Sequence, residues 1–171
     1  MNGGRPVEMD PAALDGRGLR VAVVASRFNA GVTDRLAAGA AGVLRGHGVA
    51  EADLLVCRVP GAFELAPTAR RLASSGTFDA VVCLGAVIEG GTDHYRYVCD
   101  AVTAGLTRLS QDAAHWGSHG VAVTFGVLTT RTLEQAQSRA GGSEGNKGTD
   151  AALAALEVAR LWRRLDAVGT D

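Results

Sequence analysis

The densest chemistry in the sequence lies in one stretch, Gly85-Ala86-Val87-Ile88-Glu89-Gly90-Gly91-Thr92-Asp93-His94. Paired glycines let a backbone come close to a ligand. Thr92 or Asp93 is suited to cap a following helix, and free N–H groups at a helix start bind phosphate or carboxylate. His94 opens that helix, and an imidazole, with an ordinary pKa near ~6.5, moves protons in both directions at neutral pH. A plain surface histidine at a helix start is the competing reading. Ser26-Arg27-Phe28-Asn29 sets an aromatic ring on a turn, where a flat heteroaromatic could stack on it or the ring could fold back over the next helix. Val59-Pro60-Gly61-Ala62-Phe63-Glu64-Leu65 sets a second ring beside a carboxylate. That carboxylate suits a polyol or an amino group, although the helix dipole alone also favours Glu in a first turn. Arg139 precedes a glycine run that ends in Gly145-Asn146-Lys147-Gly148, and Lys147 is the only lysine among 17 basic residues. A planar fork and a point donor flanking a flexible run can close on an anion. A codon bias toward arginine would give the same imbalance.

These residues punctuate a repeating order of elements. Leu19–Ala25, Asp53–Val59, Asp79–Ile88 and Val121–Leu128 are short apolar runs that read as strands. Between them, about Val32–Leu44, Ala62–Ala73 and His94–Ala114 read as helices. Thr132-Leu133-Glu134-Gln135 fits the start of another helix, and a glycine-rich break, Gly141–Gly148, leads into the last. In that last helix Val158, Leu161, Trp162 and Leu165 share one face at helical spacing. Strand–helix alternation with near-continuous apolar strands predicts a parallel sheet covered on both faces. Ligands then sit beyond the carboxyl ends of the strands, which is where the motifs above fall. Residues 1–17 read as a loose leading segment, with Pro6 and Pro11 opposing a helix, and 18–171 as one domain.

Composition narrows the function classes. The 17 basic and 18 acidic residues give a net charge of −1, with no electrostatic footprint for nucleic acid or anionic lipid. Mean hydropathy is +0.11, and no apolar run approaches the roughly 18 residues of a membrane span. The opening residues carry no apolar core of a secretory signal, so a cytoplasmic location is expected. Cys57, Cys83 and Cys99 show no CxxC spacing, which argues against a disulfide frame or a zinc ribbon. GxxxxGK[ST] and GxGxxG are both absent, so the usual nucleotide loops fail. Glycine supplies 23 of 171 residues, nearly twice the usual ~7%, clustered at the junctions.

Five motifs in register resemble the lumazine synthase family of riboflavin biosynthesis, from about Leu19 to Leu165. They are Arg27-Phe28-Asn29, Gly61-Ala62-Phe63-Glu64-Leu65, Gly85 to His94, Thr124-Phe125-Gly126-Val127-Leu128-Thr129-Thr130, and Glu134-Gln135-Ala136 through Arg139-Ala140-Gly141 to Gly145-Asn146-Lys147-Gly148. The resemblance implies an α/β fold, a flavodoxin-like three-layer α/β/α sandwich with a central, mainly parallel four-stranded sheet. It implies condensation of 5-amino-6-(D-ribitylamino)uracil with 3,4-dihydroxy-2-butanone 4-phosphate, without cofactor or metal. By the same resemblance Phe28 stacks on the pyrimidine, and Ala62, Phe63 and Glu64 hold the ribityl chain. Ala86, Val87 and Ile88 line the pyrimidine pocket, Gly91, Thr92 and Arg139 hold the phosphate, and His94 transfers protons. Phe125, supplied by a neighbouring subunit, and Lys147 complete the site. The partners implied are small molecules and further copies of the chain, in an assembly built from pentamers.

The sequence departs from the family pattern at Ala66-Pro67, which moves a proline one residue on and predicts a late helix start. Arg131 stands where an acidic residue is usual, and Ser143-Glu144 replaces a stretch that often carries another lysine. These departures keep a second reading open: a relative that binds a lumazine or flavin, or builds a shell, without turnover. A flavodoxin-like FMN protein is a third, for which the loop after the first strand is poorly built.

Overall fold

The computed structural model describes residues 7–168. Four strands, β1 (Val21–Ser26), β2 (Leu54–Val59), β3 (Ala80–Ile88) and β4 (Ala122–Thr130), form one all-parallel sheet in the order β2-β1-β3-β4. Helices α1 (Ala30–Gly46) and α5 (Lys147–Val168) cover one face; α2 (Leu65–Ala73) and α3 (His94–Ala113) cover the other. Successive strand residues point to opposite faces. Val21, Val23 and Ala25 of β1 therefore enter the α1/α5 core, while Ala22 and Val24 enter the α2/α3 core. The expected three-layer flavodoxin-like sandwich is what forms. Edge strand β2 carries Leu55 and Val56 exposed at the sheet edge.

The late start expected of the second helix is observed. Ala62–Glu64 form a 3-10 turn, and α2 begins at Leu65. Pro67 then falls in the first helical turn, where its missing N–H costs nothing. Short α4 (Leu133–Ser138) begins as its sequence predicts, the Thr132 hydroxyl accepting from the Gln135 N–H at 3.2 Å. The Gln135 side chain reaches back to the Arg131 N–H at 3.0 Å.

The glycine run is not the flexible break expected. It is a tight antiparallel hairpin of β5 (Ala140–Gly142) and β6 (Gly145–Asn146), and α5 starts directly behind it at Lys147. Asn146 is the hinge of this arrangement. Its Oδ1 accepts from the N–H groups of Gly148 and Thr149, and its Nδ2 donates to the Arg35 carbonyl of α1 at 3.0 Å. Gly148 lies against α1 so closely that a Cβ there would stand 2.1 Å from the Leu36 carbonyl oxygen. Gly148→Ala is expected to force α1 and α5 apart and cost about 2 kcal/mol, read as a lower urea midpoint at unchanged slope. An unaltered midpoint would refute the close approach.

The buried stripe of α5 also differs from the one expected. Ala151, Ala152, Ala155, Leu156 and Ala159 face the core, with Val158 and Trp162 at its margin. Leu165 is 46% exposed. Small residues take the inner positions because α1 leaves no room for large ones. At the far end, Arg163 pairs with Asp79 at 2.6 Å, and Arg160 Nε donates to the Asp15 carbonyl at the same distance. Of the leading segment, residues 1–6 lie outside the described residues, and Pro11–Ala13 form a 3-10 turn.

Candidate active site

The chain leaves β1 through α1 toward β2, and leaves β3 through α3 toward β4, so the connections part above the β1/β3 boundary. Such a parting opens a crevice at the strands' carboxyl ends. A cleft of about 640 Å³ lies there. Its walls include Phe28 from the β1–α1 turn, Ala62, Phe63 and Glu64 from the 3-10 turn, Ala86, Val87 and Ile88 from the end of β3, and Thr92 and His94 from the start of α3. Nine of the residues singled out from the sequence thus converge on one space. Gly91 adjoins the cleft between Gly90 and Thr92 without forming its wall.

Local forces explain the placement. Gly61 is extended, and its N–H donates to Glu64 Oε2 at 2.9 Å, closing the 3-10 turn. Ala62 and Leu65 take the buried positions of that turn, which leaves the Phe63 ring outside, 61% exposed. Phe28 is 70% exposed. Two large rings facing water across one cleft form a surface that a planar ligand would cover. Glu64 uses Oε2 on its own turn.

Neither Thr92 nor Asp93 caps α3. Asp93 already has helical backbone angles, φ −65° and ψ −7°, and its carboxylate makes no capping bond. An N-cap side chain reaches the first-turn N–H groups from extended backbone, so no side chain of these two caps the helix, and the Arg96 and Tyr97 N–H groups turn back to the Asp93 carbonyl. His94, the first residue of α3, is exposed beside them. Tyr95 and Val98 also line the cleft and were not singled out from the sequence; their signal was adjacency to His94 on one helix face. Burial, then Cys99 and Glu89 nearby, push the Tyr95 phenol above its usual range against a Thr129 hydrogen bond, so it meets a ligand as a neutral O–H.

Phe125, Arg139 and Lys147 lie elsewhere, in a second cleft of about 770 Å³ between edge strand β4, α4 and the start of α5. Phe125 is 46% exposed on β4. Arg139 Nη1 donates to the Gln135 carbonyl and to Ser138 Oγ, both at 3.1 Å, at the carboxyl end of α4. The Lys147 N–H donates to the Arg139 carbonyl at 2.9 Å, which sets the two residues side by side on one cleft wall. Lys147 Nζ pairs with Asp150 Oδ2 at 2.7 Å. Gln135, also on this wall, reads in the sequence only as part of a helix start and a family motif, and Asp150 went unnoticed, although it stands at i+3 from Lys147. The two clefts share no lining residue, so within one protomer Arg139 and Lys147 line a different cleft from Thr92 and His94. Arg131 and Ser143-Glu144, the departures from the family pattern, line neither cleft. Among the described residues no three His, Cys, Asp or Glu side chains gather as a metal site would require.

A parallel 2-1-3-4 sheet with a ligand-sized cleft over the β1/β3 boundary defines a flavodoxin-like α/β subunit. The family model described as 6,7-dimethyl-8-ribityllumazine synthase matches residues 18–163. Two curated proteins of that name, from Anaeromyxobacter sp. strain K and Anaeromyxobacter dehalogenans strain 2CP-1, are each 50% identical over 153 residues. The matches cover 90% of this chain and 91% of theirs. The chain belongs to the 6,7-dimethyl-8-ribityllumazine synthase family.

Proposed function

We propose that the protein is a transferase condensing 5-amino-6-(D-ribitylamino)uracil with 3,4-dihydroxy-2-butanone 4-phosphate to 6,7-dimethyl-8-ribityllumazine, with each site shared by two copies of the chain. The convergence of Phe28, Glu64 and His94, remote in sequence, on one strand-end cleft carries this reading. The pyrimidine lies against the Phe28 ring beside the Ala86, Val87 and Ile88 backbone. The ribityl chain runs past Ala62 and Phe63 to Glu64. The phosphate meets Gly91, Thr92 and the uncapped start of α3.

The pyrimidine's 5-amine attacks the ketone and water leaves as the imine forms. Phosphate is then eliminated, and the ribitylamino nitrogen closes the ring with loss of a second water. Nearly every step moves a proton among nitrogen, carbon and oxygen, and His94 at the cleft edge is placed to carry it. Much of the barrier is the meeting of two solutes in one orientation, worth ~7–11 kcal/mol where alignment is ideal.

The first cleft has a ring stack and a proton carrier but no cationic side chain on its wall. The second has the cations and a third ring, Phe125. The two are complementary and share no lining residue. A contact between unlike patches is head-to-tail and closes into a ring where the rotation between copies allows it; the family resemblance implies a ring of five. Arg139 and Lys147 then reach the phosphate and pyrimidine from the neighbour, together with Phe125. Residues 18–171 act as one domain. Cys57, Cys83 and Cys99 are free thiols, which supports a reducing cytoplasm, and no helix among the described residues is long and apolar enough to cross a membrane.

Mixing the two substrates with the protein and following lumazine absorbance tests the reaction. Product formation is expected, and its absence removes the proposal. Flavin or lumazine binding without turnover would instead favour the non-catalytic relative.

A further inference from the structure

Asn29 is the one non-glycine residue with left-handed backbone among the described residues, at φ 61° and ψ 46°. It holds the N-cap position of α1, where an asparagine side chain ordinarily accepts a bond from the first turn. It makes no such bond. Its Nδ2 instead donates to the Ala86 carbonyl at 2.9 Å, across 57 residues of chain.

The way β1 leaves the sheet explains this. Pairing of β1 with β3 ends at Ala25 and Leu84. Beyond it the chain turns toward β2, the Arg27 N–H donating to the Val59 carbonyl at 2.7 Å and the Phe28 N–H to the Pro60 carbonyl at 3.0 Å. Strand β3 runs on to Ile88, so Ala86, in register with Leu128 of β4 on one side, has no strand on its β1 side, and its residue is only 3% exposed. The Asn29 carboxamide stands in for the missing strand and satisfies a carbonyl that burial would otherwise leave unpaired. Arg58 secures the same turn from behind: it donates to the Ser26 carbonyl at 3.0 Å and pairs with Asp34 of α1.

The bond therefore ties together two walls of the first cleft, the turn that carries Phe28 and the end of β3. We propose that Asn29 is a positioning residue for the pyrimidine, its carboxamide bond to Ala86 fixing the gap between the Phe28 ring and the Ala86–Ile88 backbone. This rests on the pyrimidine occupying the first cleft, as argued above. A gap already set to the thickness of a planar ring spares the walls from being ordered when substrate enters.

Asn29→Gly keeps the left-handed backbone and removes the donor. Asn29→Asp keeps shape and backbone tolerance but turns an acceptor toward an acceptor. Loss of one such bond is expected to raise the pyrimidine KM about tenfold in both variants. The product's affinity in a fluorescence titration falls by the same factor, while kcat and the butanone phosphate KM stay within about twofold. A pyrimidine KM within about twofold of wild type in both variants overturns the proposal. So does a joint rise of both KM values with a fall in kcat, the mark of a generally loosened site. Phe28→Ala, measured alongside, separates the two levels. If it leaves the pyrimidine KM unchanged, the reading of the cleft fails and Asn29 with it. If it raises that KM while the Asn29 variants do not, only the role of Asn29 falls.

Discussion

His94→Ala lowers kcat by about a thousandfold, about 4 kcal/mol of transition-state stabilisation, within the range a positioned general acid–base group supplies. The pyrimidine KM is expected to shift by no more than about threefold, because in the proposed arrangement the heterocycle rests on Phe28 and the end of β3, with the imidazole beside it on the cleft wall. Steady-state kinetics at saturating concentrations of both substrates decides the matter. A variant within about tenfold of wild-type kcat would assign the proton transfers elsewhere, and Tyr95, a neutral O–H on the same wall, would be the next candidate.

Arg139→Ala acts on the other substrate. The guanidinium is held by the Gln135 carbonyl and Ser138 Oγ through Nη1, with Nη2 left for an anion. Losing charge-assisted bonds to a phosphate is expected to raise the butanone phosphate KM about a hundredfold, near 2.7 kcal/mol, with the pyrimidine KM little changed. The two variants also interrogate each other. If His94 and Arg139 of one site come from different copies, refolding an equal mixture of the two variants restores about a quarter of the sites. An activity no greater than the sum of the separate variants would place both groups in one chain's own site.

How much of this was legible beforehand depends on how local each signal is. The strands are unbroken apolar runs and the motifs sit at their ends, so a parallel sheet covered on both faces, with Phe28, Phe63, Glu64, Thr92 and His94 at its strand ends, followed from local pattern. Ala62 and Ala86–Ile88 came through the resemblance. Pro67 announced the late start of α2 for the same reason: its constraint is its own backbone. What escaped notice depends on distant neighbours. Val158, Leu161, Trp162 and Leu165 share a helical face in the sequence, but the core side of α5 is chosen by the close approach of α1 at Leu36 and Gly148. Glycines 141 to 148 looked flexible because the bonds that stiffen them run to Ser138, Arg139 and Arg35. Arg139 was grouped with Thr92 through the resemblance, and only the sheet order shows that β4 carries it away from that cleft. Asn29 reads as an ordinary helix cap until its partner, Ala86, is seen.

The pairing of Lys147 with Asp150 on the wall of the second cleft has a practical side. No other side-chain amine occurs in the sequence. Biotin esters, resin coupling or aldehyde fixation, which usually decorate a surface at random, would here report, apart from the α-amine, on a single side-chain address on the wall of the second cleft. Protection of that address when substrates are added would chart their occupancy without any mutation.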